Sequence, residues 1–80
     1  MKEIIKTDDI IALFPESNTE FKLIKEWCRH HFGKCSNFLT SKWYVCSYIS
    51  INDSVYSPKH RCIVIRDKES FLITILTWHN

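Results

Sequence analysis

Two short stretches hold most of the side chains able to ligate a metal or act as nucleophiles. Cys28-Arg-His-His31-Phe-Gly-Lys-Cys35 offers thiols and imidazoles together, and His60-Arg-Cys62 offers one of each. Cys28 and His31, three apart, share a face if their segment is helical. His60 and Cys62, two apart, share a face if theirs is a strand. A helix packed on that strand would bring N and S ligands to one tetrahedral zinc ion, a device that stabilises small chains. The spacing argues against it, because neither stretch has the C-x₂₋₄-C pattern of structural zinc sites. His31 also falls inside an apolar stripe, where an imidazole more often serves the core by bonding a backbone carbonyl. The expectation is no metal and no cofactor, with the grouping of Cys28, His31, Cys35, His60 and Cys62 left for the structure to decide.

The same residues are the only candidates for covalent catalysis. A Cys28 or Cys35 nucleophile would need His30, His31 or His60 as its base in an open, electropositive setting. Lys34 beside Cys35 is the one supporting feature. Asp8-Asp9 reads as helix-start charge rather than a general acid/base pair. The chain has no G-x-G-x-x-G, P-loop, H-E-x-x-H or G-x-S-x-G motif, so it reads as a non-enzyme with no catalytic residues.

A third chemistry is phosphate binding. Lys22, Lys25 and Arg29 recur at helical spacing and are continued by Lys34, with Lys59 and Arg61 further on. Such a stripe can follow a nucleic-acid backbone. Glu20 and Glu26 interrupt it, and the net charge is only +2. A small nucleic-acid-binding protein is therefore the second reading.

Positioning these residues is the task of an 80-residue chain with 45% hydrophobic and 25% charged residues. This is ordinary globular composition, and residues 1–80 read as a single α+β domain. Residues 7–14 read as a short helix with Thr7 as N-cap, stopped by Pro15. Residues 18–32 read as a long amphipathic helix. Ser17-Asn-Thr-Glu20 opens it as a capping box, and Gly33 ends it. Its apolar face holds Phe21, Leu23, Ile24, Trp27, Cys28, His31 and Phe32. From residue 42 the pattern alternates, giving strands at 42–51, 61–66 and 70–78. A turn falls at Asn52-Asp53-Ser54, a hairpin turn at Asp67-Lys68-Glu69, and a short edge strand at Val55-Tyr56. The expected fold is ααβββ: a short N-terminal helix and one long helix packed on a three- to four-stranded antiparallel sheet.

Sorting the strands by alternation leaves both sheet faces apolar. The Ile-rich face suits the long helix. The other, with Tyr44, Cys46, Tyr48, Cys62, Val64, Leu72, Leu76 and Trp78, has only the helix at 7–14, about 12 Å long at 1.5 Å per residue, to cover it. Either the two helices divide the work and the monomer has a three-layer core, or the face is uncovered and implies a protein partner, with Tyr44, Tyr48, Leu72, Leu76 and Trp78 as its anchors. The partner is either a second copy in a homodimer or a host protein. The chain has eleven Ile, eight Lys and no Gln, the bias of AT-rich coding sequences frequent in bacteriophages and mobile elements. The expected function is thus a non-catalytic inhibitor or modulator that binds a host protein. No run is apolar enough for a membrane span or a leader, so the location expected is cytoplasmic, with the four cysteines reduced.

Overall fold

A computed structural model describes residues 3–34 and 41–78. The order of elements is β1 (Glu3–Lys6), β2 (Ile11–Phe14), α1 (Asn18–Phe32), β3 (Trp43–Cys46), β4 (Ile49–Ile51), β5 (Ser54–Tyr56), β6 (Cys62–Ile65) and α2 (Phe71–Trp78). A four-stranded antiparallel sheet runs β1-β2-β6-β3, and β4-β5 form a separate two-stranded hairpin. The expected ααβββ order does not hold.

The segment expected as a first helix is instead a hairpin. Thr7 makes the bonds of an N-cap, its hydroxyl accepting from the N–H groups of Asp9 and Ile10 at 3.2 and 3.1 Å. The chain then reverses, with Thr7 N–H donating to Ile10 O at 2.9 Å, so Thr7 starts a turn. Ile11, Ala12, Leu13 and Phe14 are all buried, which is the pattern of a strand covered on both faces. Periodicity cannot separate such a short apolar run from a helix.

α1 lies where the spacing predicts it. Ser17 caps it by accepting from Glu20 N–H at 3.1 Å, while the Glu20 carboxylate reaches back to Glu16 N–H at 2.9 Å, one residue beyond the usual capping-box partner. At the other end Gly33 takes φ +84° and donates to Arg29 O, a conformation L side chains disfavour. Gly33 O accepts from the Trp43 indole at 2.8 Å, which ties the helix end to β3.

The expected strand 42–51 breaks after Cys46. The chain leaves the main sheet, and β4 and β5 meet in a two-residue turn where Asn52 and Asp53 both have positive φ (50° and 66°). These are the dihedral signs of a type I′ hairpin. Ile49 and Ile51 are buried against Ala12, Phe14, Cys62 and Val64, with Tyr44, Cys46 and Tyr56 at the margin. The second sheet face is therefore covered by the protein's own hairpin. Too little helix was available to cover both faces, but a hairpin supplies the missing cover.

The last segment is a helix rather than a strand. β6 already has β2 on one side and β3 on the other, so residues after it find no free neighbouring edge. Asp67 turns the chain by accepting from Ser70 N–H (3.0 Å) and Ser70 Oγ (2.7 Å). Phe71, Thr74, Ile75 and Trp78 then lie at helical spacing toward the sheet. Thr74 and Thr77 donate their hydroxyls to the carbonyls of Ser70 and Ile73, both at 2.7 Å, which accommodates threonine in a helix. α1 and α2 share one core with the sheet, built from Ile11, Leu13, Ile24, Cys28, Trp43, Ile63, Ile65 and Phe71.

Candidate protein-binding surfaces

The five expected anchors do not converge. Leu72 and Leu76 lie on the outer side of α2, 69% and 68% exposed, with Ile73 beside them at 46%. Trp78, at the end of the same helix, turns inward and meets Trp27 edge-on with centroids 5.9 Å apart. Its buried Nε1 has no hydrogen-bond partner among the described residues. Tyr44 and Tyr48 sit on the hairpin side of the sheet, across from the helices. Tyr44 is half-buried with the Arg66 guanidinium over its ring at 5.1 Å, and Tyr48 is exposed in the β3–β4 connection. Burial raises the Tyr44 hydroxyl pKa, and so does Cys46, while Arg66 opposes the rise.

The two faces have different characters. α2 contains no charged residue and is anchored from beneath by Phe71, over whose ring the Lys6 ammonium stands at 5.7 Å. Its apolar residues run nearly around the helix, which suits an element covered on more than one side. On the hairpin side, Tyr44, Cys46, Tyr48 and Ile49 line an open hollow of about 510 Å³ with polar Ser47 and Ser50. No known protein-family model, curated protein or solved structure matches the chain. Function must therefore be argued from these surfaces alone.

The basic stripe is partly assembled. Lys25, Arg29 and Lys34 line one hollow of about 200 Å³ with Trp43, and Lys22 is exposed on the same helix. Trp43 is only 1% exposed and offers no plane for a base to stack on. Arg29 is engaged by Glu26 at 3.4 Å.

The zinc grouping is not formed by the described residues. Cys28 lies in the core beneath α1, whereas Cys62 lies in the core beneath the hairpin, so the sheet separates them. His31 is exposed, stacks on Trp27 at 4.2 Å and has its Nδ1 3.2 Å from Trp27 O. Cys35 falls outside the described residues. Among the described residues, no three His, Cys, Asp or Glu side chains gather as a metal site. Cys28 is fully buried in the core beneath α1, and burial pushes its thiol up to about 12.

Two features escaped the sequence reading. Ile73 joins the exposed α2 face only because the segment is helical, as on a strand it would point away from Leu72 and Leu76. Cys46 stands directly opposite Cys62 in the β3–β6 register, a pairing that needs the strand order to be known.

Proposed function

We propose that the chain is a non-catalytic, cytoplasmic protein-binding module that lays the outer face of α2 into an apolar groove on another protein. It acts as an inhibitor or modulator by occupying that groove. The observation behind this reading is the set Leu72, Ile73 and Leu76, exposed together on a helix without charge. Leu76 lies four residues from Leu72 and three from Ile73, the i+3 and i+4 spacings by which a groove reads a helix face. Together they present on the order of 300–400 Å² of apolar surface, the size class of functional patches on monomers. A stable dimer buries roughly 800 Å² per partner. Two copies meeting through α2 alone fall well short of that, whereas a groove also encloses the helix flanks. This favours a foreign protein over a second copy.

The test installs a photo-crosslinking residue at position 76, with position 55 on the opposite side as control, and follows with purified candidates. The expected result is one protein crosslinked from position 76 only. Its purified form should bind the wild-type chain and lose tenfold or more in affinity to Leu72→Glu/Leu76→Glu. Unchanged affinity in that variant overturns the proposal, and so does a wild-type molar mass corresponding to a dimer at micromolar concentration.

The second reading, nucleic-acid binding through Lys22, Lys25, Arg29 and Lys34, rests on three of these four lining one hollow. It predicts affinity for oligonucleotides that falls steeply with salt and is lost in Lys25→Glu/Arg29→Glu.

A further inference from the structure

Cys46 and Cys62 face each other across the two strands β3 and β6, and their sulfurs are 2.9 Å apart. Both belong to the layer between the sheet and the β4-β5 hairpin. Arg66 N–H bonds Lys42 O at 2.7 Å, which makes Lys42/Arg66 a hydrogen-bonded pair of the ladder. Alternation along the register then makes Cys46/Cys62 a hydrogen-bonded pair too, with Cα atoms about 5.5 Å apart. That lies inside the range of about 4.4–6.8 Å compatible with a disulfide. The sulfurs need to approach by less than ~1 Å to reach bonding distance. They are too close to hold a metal between them, since thiolates on a tetrahedral zinc at 2.3 Å lie about 3.8 Å from each other. The two sulfurs also differ in access. Cys46 lines the open hollow of about 510 Å³, and Cys62 is buried.

We propose that Cys46 and Cys62 form a reversible redox site that a hydroperoxide converts to an intramolecular disulfide. Cys46 meets the oxidant through the hollow. Its sulfur takes the terminal oxygen of hydrogen peroxide, the O–O bond breaks, and Cys46 sulfenic acid and water result. Cys62 then attacks the Cys46 sulfur, the S–O bond breaks, and the Cys62 proton leaves with the hydroxyl as a second water. The sum is two thiols and one peroxide giving one disulfide and two waters. Cys62 is placed for the second role by distance, its sulfur 2.9 Å from that of Cys46. Burial, together with its hydrogen bond to Cys46, pushes its thiol up to about 12, and its Sγ is 3.3 Å from Cys46 O. It is therefore protonated at neutral pH, and its proton has to leave as the sulfurs join, which makes this second step the slow one.

The bond would close residues 47–61 into a covalent loop containing the whole hairpin. Cover of the second sheet face would then rest on a covalent bond as well as on packing. In reducing cytoplasm such a pair stays open until peroxide arrives, which is the setting in which intracellular disulfides act as sensors.

The experiment treats the full chain with hydrogen peroxide, blocks remaining thiols with N-ethylmaleimide, and maps tryptic peptides. Cleavage after Lys42, Lys59, Arg61 and Arg66 places the two cysteines on separate peptides, 43–59 and 62–66. The expected product is these two peptides joined, two hydrogens lighter, and released by dithiothreitol. The oxidised protein should also melt several degrees higher than the reduced one. Cys46→Ser, at a half-exposed position, should fold and leave Cys62 unoxidised. The proposal is overturned if Cys46 proceeds to sulfinic acid while Cys62 takes the maleimide. Preferential links to Cys28 or Cys35, or oxidation of Cys62 at an unchanged rate in Cys46→Ser, overturn it equally.

Discussion

Ile51→Ala tests whether the β4-β5 hairpin is a structural cover or a loosely attached appendage. Ile51 is 5% exposed and packs with Ile49, Ala12, Phe14, Cys62 and Val64. The substitution removes three carbons, worth about 2.4 kcal/mol at roughly 0.8 kcal/mol per buried methylene. A cavity term raises the expected loss to about 2–4 kcal/mol, moderated because a hairpin at the surface can partly collapse. For a domain of this size each kcal/mol lowers Tm by about 4–8 °C, so a fall of at least ~8 °C is expected. The control is Val55→Ala on the partnering strand, where the side chain is 68% exposed and the cost should stay within about 0.5 kcal/mol. Urea melts of both variants, with unchanged m-values, give the comparison. Equal, small losses at both positions would mean that Ile51 is not packed on the sheet, and the covered second face would have to be abandoned.

Three further outcomes follow from particular atoms. Gly33→Ala should cost about 1 kcal/mol in the same urea assay. Its φ of +84° strains any L side chain, and no atom of the described residues within 4 Å would clash with the added carbon. Trp78→Phe removes a buried N–H that has no acceptor among the described residues while keeping an aromatic ring against Trp27, so it should be neutral or slightly stabilising. A loss above ~2 kcal/mol would mean the indole N–H is satisfied. Cys28 is held protonated, its pKa pushed by burial to about 12 from an ordinary value of 9.0. The stability this thiol contributes is complete below the unfolded pKa and is lost as pH rises through about 9 toward 12. The stability gap between wild type and Cys28→Ala should therefore narrow between about pH 9 and pH 11, and a constant gap would refute the assignment.

How much of this was legible in the sequence depended on whether local signals met competition. α1 had a cap, a stop and an apolar stripe that all agree, and it forms where they say. Thr7 also gave a true signal, since its hydroxyl does take the N–H groups of residues 9 and 10, but a turn uses the same bonds as a helix start. Residues 70–78 are rich in β-branched side chains and look like a strand until β6 is seen to have both edges occupied. That is information about three other strands, and no local pattern contains it. Leu72 and Leu76 share an exposed face for a reason independent of the error. Residues four apart share a face on a strand and on a helix alike, whereas Trp78 does not follow them and turns inward. The apolar character of both sheet faces was readable from alternation. What covers the second face was not, because Ile49 and Ile51 were assigned to the sheet they in fact lie upon.

The position of β6 has a consequence for how the chain comes into being. This strand bonds both β2 and β3, and its partners Ile11 and Leu13 lie about fifty residues away along the chain. Such distant closure is slow by nature, and a nascent polypeptide leaving the ribosome holds its first hairpin and α1 without a seat until residues 62–65 emerge. A version ending before Cys62 would thus be more than a shortened protein. It would lack the keystone between two halves, with the greasy sides of each turned outward and prone to clump.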